Sequence, residues 1–325
     1  MHKKISVVIP TYNRAGLLMK CIHALSQQDF DKEDFEIIVV SDGPDGATRY
    51  MLNELIIPLP FMQYISLAKN RGPAAARNAG WRVAGGKLIA FTDDDCLPKP
   101  DWLSNLWRMY ISNGEPPLMA FTGRVIVPVS DNPTDYEINT AHLQNADFIT
   151  ANCACTKKSL ELTDGFDERF TTAWREDSDL EFRLMEKGIF IQRKINAAVV
   201  HPVRKADWGV SIKEQRKTIF NALLYKKFPS LFRQKIQPVP AWNYYAIIIG
   251  FLLMLTGVAV SLRPLFFTGL IIYSCLTFMF IWKRLVNTSK EFNHVIEMIV
   301  TSLVIPFISI YWTIRGALKY KVFYY

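Results

Sequence analysis

The sequence predicts an α/β domain, with a mainly parallel sheet covered by helices on both faces, followed by helices that span a membrane. Three observations predict it. Apolar runs of strand length, bounded by turn residues, recur at ISVVIP (5–10), EIIVV (36–40), FMQYIS (61–66) and KLIAFT (87–92), as strands buried on both faces do. Segments of helical spacing lie between them, and this alternation is the pattern of βαβ units. From residue 241 the composition changes to uncharged apolar stretches of bilayer length. With 325 residues, 50% hydrophobic and 13% aromatic, the chain has material for a core and for more than one domain, which excludes disorder for its bulk.

The elements follow in order. MHKK runs straight into ISVVIP, so no signal peptide is expected ahead of the body. In RAGLLMKCIHALSQQ, Leu17, Leu18, Cys21, Ile22 and Leu25 repeat at helical spacing. RGPAAARNAGWRVAGG is rich in Ala and closes on two glycines that suit a helix C-terminus. Glu176-Asp177 opens a segment in which Leu180, Leu184 and Met185 keep helical spacing, with Gly188 as the stop. INAAVV is an apolar strand that ends at His201. Parallel sheets bind ligands at the carboxyl ends of their strands. Polar clusters sit at those ends: Pro10-Thr11-Tyr12-Asn13-Arg14, Ser41-Asp42-Gly43 and Asp93-Asp94-Asp95. GxGxxG is missing from the first strand–helix turn and a P-loop signature is missing throughout, which sets aside dinucleotide and P-loop nucleotide chemistry.

Charge is distributed unevenly. The formal total is +8, made of −4 over residues 1–200, +7 over 201–240 and +5 over 241–325. No nucleic-acid recognition motif accompanies the basic part, so no nucleic-acid partner is expected. A membrane is the better partner. AWNYYAIIIGFLLMLTGVAVSL (241–262) and PLFFTGLIIYSCLTFMFIW (264–282) contain no Asp, Glu, Lys or Arg and carry Trp or Tyr at an end, as interface anchors do. The collar Lys226, Lys227, Arg233 and Lys235 follows the positive-inside rule, which places the body in the cytoplasm and the collar against anionic headgroups. Lys283, Arg284 and Lys290 agree after two crossings. The stretch MIVTSLVIPFISIYWTI (298–314) holds Pro306, and a crossing there would put Arg315, Lys319 and Lys321 on the wrong side. It is therefore expected to be re-entrant or interfacial. The expected boundaries are 1–203 for the body, 204–240 for a basic juxtamembrane region and 241–325 for the membrane region. The five cysteines show no disulfide framework and read as reduced, packed thiols.

Three adjacent carboxylates repel one another unless something offsets them. Paired hard carboxylates at a strand end suit Mg2+ or Mn2+, which leave coordination positions for water and phosphate oxygens. A cation there could neutralise a leaving diphosphate.

SVVIPTYNR (6–14), VSDG (40–43), KNRGPAAARNAG (69–80), TDDDCLP (92–98), DGFDERF (164–170) and WREDSDLEFRL (174–184) together resemble the inverting family 2 glycosyltransferases of the GT-A fold. The resemblance runs from residue 5 to about 201, in the family's order. It implies that Pro10, Thr11 and Tyr12 line a nucleoside pocket, that Asp42 accepts a hydrogen bond from the base, and that Arg77 faces the nucleotide or its phosphates. Asp93 and Asp95 would form the DxD pair, Asp93 at the ribose or metal shell and Asp95 on the cation, with Asp94 as an alternate ligand. His201 would reach the metal or diphosphate. Asp177, paired with Glu176, would deprotonate the acceptor hydroxyl, and Trp174 and Asn152 would lie on the acceptor side, with Asp167 near them or fixing a turn. The plain alternatives give Tyr12 to turn packing, Arg77 to the helix surface, His201 to a turn and Trp174 to the core.

The implied protein is a membrane-anchored, metal-dependent inverting transferase of the inner or plasma membrane. It would move sugar from a nucleoside-diphosphate donor to a hydroxyl of a lipid-linked or polysaccharide acceptor. A polyprenyl-phosphate sugar synthase and a catalytically inactive scaffold are the rivals. A processive synthase fits less well, because the string nearest to QxxRW, EQRKT at 214–218, lacks the Trp.

Overall fold

The computed structural model describes residues 3–56, 59 and 61–323. They divide into two compact units, Met1–Pro128 with Ala141–Val203, and Val129–Thr140 with Arg204–Tyr325. The short insert 129–140 thus groups with the C-terminal unit although the body of the first unit surrounds it in sequence.

The first unit begins β1 (Ile5–Thr11), α1 (Ala15–Ser26), β2 (Phe35–Ser41), α2 (Gly46–Ile56), β3 (Met62–Ser66), α3 (Pro73–Val83) and β4 (Leu88–Phe91). It continues with β5 (Leu97–Pro98), α4 (Trp102–Ser112) and β6 (Ala120–Ile126). After α5 (Asp135–Ala141), which starts in the insert, come β7 (Cys153–Thr156), α6 (Lys157–Thr163), α7 (Glu176–Glu186) and β8 (Ile191–Val200). The sheet order is β3-β2-β1-β4-β7-β6-β8-β5. Its first four strands are parallel, whereas β7 runs antiparallel to both β4 and β6, and β5 antiparallel to β8.

Successive side chains of a strand point to opposite faces, and both faces here are buried. Ile5, Val7 and Ile9 of β1 join Phe35, Ile37 and Val39 of β2 in one core, closed by Leu18, Ile22 and Leu25 of α1 and Trp102 and Leu106 of α4. Val8, Ile38 and Val40 face the other core, under Ala74, Ala76 and Trp81 of α3 and Leu180 and Leu184 of α7. Small residues let α3 sit close to the sheet: a Cβ on Gly80 would stand 2.4 Å from a Val8 methyl. The glycines after α3 do not cap it. Gly86 is required because the chain passes against β1, where a Cβ would meet the Ser6 nitrogen at 2.6 Å. Gly188, by contrast, follows α7 at φ +67°, the left-handed conformation of a helix stop.

The second unit holds α8 (Val210–Glu214), α9 (Ile219–Lys227), α10 (Pro229–Lys235), α11 (Trp242–Ala259), α12 (Arg263–Leu285) and α13 (Phe292–Tyr320). The last three are each long and apolar enough to cross a membrane. α11 and α12 form an antiparallel hairpin with a glycine seam, since a Cβ on Gly250, Gly257 or Gly269 would meet backbone of the partner helix at 2.8, 2.4 and 2.3 Å. Near the end of α12, Arg284 grips Asp135 of the insert at 2.8 Å and donates to Thr301, Ser302 and Ser211. α13 runs unbroken through Pro306, so the turn that a re-entrant element requires is not there. An interior proline forfeits one helical hydrogen bond, and burial of Ser302, Ile305, Pro306 and Ser309 holds the helix across it.

Candidate active site

The site assembles at the carboxyl ends of β1, β2 and β4, and parallel register decides which side chains meet. Val8 lies opposite Phe91, so three residues further on Thr11 comes level with Asp94. The Thr11 hydroxyl donates to Asp94 Oδ2 at 2.8 Å and Arg14 reaches Oδ1 at 3.2 Å. Asp94 is 2% exposed, and burial pushes its carboxyl up to about 6 against the pull of Arg14 and Thr11. Asp94 therefore braces the end of β1. Asp94, expected as an alternate metal ligand or nucleotide contact, is here joined to Thr11 and Arg14.

The turn after β4 closes with the Cys96 amide on the Asp93 carbonyl at 3.1 Å. Asp95 meets His201 at the end of β8, Oδ1 to Nε2 at 3.6 Å. Donor atoms of Asp95, Cys96 and His201 all lie within 4.8 Å of one another. His201 Nδ1 is buried and has no hydrogen-bond partner among the described residues. A carboxylate beside an imidazole whose Nδ1 is buried and unpartnered suits a divalent cation. Cys96, read from the sequence as a packed thiol, lies beside them, and burial pushes its thiol well above the ordinary range, away from the thiolate form that binds metal.

Arg77 is placed otherwise than expected. It is 1% exposed, beneath the crevice, with NH2 on Asp93 Oδ1 at 2.7 Å and NH1 on Glu176 Oε1 at 3.1 Å. The Phe166 ring lies 5.6 Å from its guanidinium carbon. Burial opposes its charge, but Asp93 and Glu176 outweigh that and hold its pKa above the ordinary value. Its two terminal nitrogens are committed to two carboxylates, while its buried Nε has no hydrogen-bond partner among the described residues.

Those carboxylates bring in α7. Arg175 ahead of it takes φ +74°, a left-handed conformation that costs a side-chain-bearing residue about 1 kcal/mol or more. Glu176 is buried, and Oε2 has no hydrogen-bond partner among the described residues. Burial, then the charge of Asp177, pushes its carboxyl up to about 7. Asp177 accepts from the Ser178 amide at 2.6 Å. Burial raises its pKa too, against Ser178, Arg175 and Arg77. Half-buried Trp174 has the Arg175 guanidinium over its ring at 4.6 Å, so one ring face is covered by a cation.

On the nucleoside side, Pro10 is buried in β1 while Tyr12 is 38% exposed. The Tyr12 ring edges Gly43, where a Cβ would approach it to 3.1 Å and where φ is +125°. Asp42 accepts from the amides of Arg71 and Gly72 at 2.7 and 2.8 Å, and burial raises its pKa despite them. The carboxylate thus holds the 69–72 loop against the crevice. Gly72 is fixed there at φ +96°, with the Thr171 carbonyl 2.5 Å from any added Cβ.

Asn152 sits beneath the sheet surface. Fully buried, it accepts from Trp102 Nε1 at 2.9 Å and donates to the carbonyls of Arg124 and Ala197, both at 2.9 Å. Expected on the acceptor side, the amide here joins β6, β8 and α4. Asp167 fixes its turn by accepting from the Arg169 amide and side chain.

Comparison with known proteins places this geometry. Residues 6–162 match the model described as glycosyl transferase family 2. Glycosyltransferase AglE of Haloferax volcanii is 32% identical over 99 residues, 30% of this chain and 33% of that protein. Validoxylamine A glucosyltransferase of Streptomyces hygroscopicus subsp. jinggangensis is 26% identical over 246 residues, 65% of this chain and 56% of that protein. The chain thus spans between a third and about half of the length of these curated relatives. Among solved structures, mannosyltransferase PcManGT from Pyrobaculum calidifontis, in complex with GDP-Man and Mn2+, matches with a TM-score of 0.59 at 19% identity, over 94% of this chain and 88% of that one. The fold is GT-A.

Proposed function

We propose, from the match of residues 6–162 to the glycosyl transferase family 2 model, that the chain transfers a sugar from a nucleoside-diphosphate donor to a hydroxyl of a lipid-linked or glycan acceptor, with inversion at the anomeric carbon. The observation that carries the reading is the Arg77 bridge, which ties the carboxylate turn after β4 to the first turn of α7. Donor-side and base-side acids then belong to one site.

Tyr12 offers the exposed aromatic surface for a base, with the loop held by Asp42 as the neighbouring wall. Asp93 keeps a partly exposed carboxylate for the ribose while Arg77 fixes its other side. Asp177 receives the acceptor proton: a hydroxyl is a poor nucleophile until it loses that proton as it attacks, and burial brings the carboxylate nearer the working pH of a base. Glu176 orients the start of α7 through Arg77. Attack opposite the departing nucleotide inverts the centre. Asp95 and His201 would hold a divalent cation, Mn2+ ahead of Mg2+ because one donor is nitrogen, and such an ion supplies charge neutralisation to a leaving diphosphate. The apolar hairpin and the basic collar support a multi-pass protein of the inner or plasma membrane with this domain on the cytoplasmic side.

Calorimetric titration of UDP, GDP and dTDP, with and without Mn2+, tests the donor site. Metal-dependent binding of one nucleotide, lost in Asp95→Ala, supports it; folded protein that binds none overturns it in favour of a scaffold. Full transfer activity in Asp177→Asn would instead indicate a phosphate acceptor, which needs no base.

A further inference from the structure

The contacts of α13 are at odds with a third crossing. A helix of 29 residues is about 43 Å long, more than the roughly 30 Å of the hydrocarbon core. If it crossed, its two ends would meet different sides. Residues 209–227 instead run beside it from its start to its end. Near the start, Glu297 accepts from the Gly209 amide at 2.7 Å. Near the end, a Cβ on Gly316 would stand 2.8 Å from the Ile219 carbonyl, and the Tyr320 carbonyl accepts from Lys226 at 2.8 Å. The segment between Gly209 and Lys227 carries Lys213, Glu214, Arg216, Lys217, Lys226 and Lys227, a charge density that hydrocarbon does not admit. In between, Thr301 and Ser302 take hydrogen bonds from Arg284, which stands in the last turn of α12.

We infer that α13 lies along the membrane interface with both ends on the side of residues 204–235, and that its C-terminal half, together with α9, docks on an anionic lipid leaflet. Phe292, Ile296, Leu303, Tyr311, Ile314 and Leu318 form an exposed apolar stripe at steps of three, four, seven or eight along its length. A stripe of this kind sits about 5–10 Å deep at the headgroup boundary. The cations flank it. The guanidinium carbons of Arg216 and Arg315 stand 6.0 and 5.0 Å from the Trp312 ring centroid, and Lys319 Nζ lies 5.9 Å from that of Phe220. Residues 210–227 and 311–321 together hold eight Lys and Arg against the single carboxylate of Glu214. Anionic headgroups complement that balance, and zwitterionic ones do not.

The test uses the full chain in proteoliposomes, with Cys275→Ser as background and spin labels placed one at a time at Ile296→Cys, Leu303→Cys, Tyr311→Cys and Leu318→Cys. Similar shallow depths at all four support the interfacial helix; depths that pass through the bilayer centre and emerge on the far side overturn it. Lipid competition supplies the second arm. The preference for spin-labelled phosphatidylglycerol over phosphatidylcholine should be lost in Arg315→Gln/Lys319→Gln, and an unchanged preference overturns the docking surface. Neither arm involves sugar transfer, so their failure is separate from failure of the proposed reaction.

Discussion

Arg77 and Glu176, 99 positions apart in the chain, share a 3.1 Å hydrogen bond at which both side chains are almost wholly removed from water. With Asp93 on the second nitrogen, one cation serves two acids. Breaking a buried pair strands the remaining charge, at a cost of about 3–5 kcal/mol. Arg77→Met should therefore lower the thermal midpoint sharply, and a variant that melts like the wild type would show that the bridge contributes little.

Glu176 makes stability depend on pH. Its carboxyl titrates at about 7 when folded, against an ordinary value of 4.5, so between those values the folded chain keeps a proton that the unfolded chain has released. Stability therefore falls as pH rises through that window. Glu176→Gln should flatten the slope of the unfolding midpoint against pH.

Asp177→Asn should reduce the transfer rate by about 10²–10⁴-fold while nucleotide affinity holds. Single-turnover rates set beside calorimetric binding separate the two quantities. Equal loss of both would assign the residue to the donor side.

Asp94 and Asp95 should respond in opposite ways to the same change. Asp95→Asn should abolish Mn2+ binding measured by electron paramagnetic resonance. Asp94→Asn should retain it and lose stability, because Thr11 and Arg14 lose a buried charged partner.

Asn152→Ala removes one buried acceptor and two donors, and should destabilise by about 3 kcal/mol in denaturant titration. KM for the acceptor should hold. A raised KM at unchanged stability would return this residue to the acceptor side.

The four parallel strands β1 to β4, β8 and the first turn of α7 were legible because apolar periodicity and polar strand ends are local signals, whereas β5, β6 and β7 were not marked by them. Three identical letters at 93–95 carry no such signal: only the pairing of β1 with β4 turns the middle one towards Thr11. Arg77 reads as an exposed helix charge until Gly80 and its alanine neighbours bring α3 down onto the sheet. Asn152 is unreadable from sequence, as its partners come from three elements remote in the chain. The interfacial expectation for 298–314 came from the charges that follow it, whereas continuity through Pro306 depends on neighbours that hold both sides of the proline.

The glycine seam between α11 and α12 has a consequence for cargo. Where backbones touch across Gly250, Gly257 and Gly269, a closed pair has no lumen to admit even a single pyranose ring. Nothing of that size passes between these two helices.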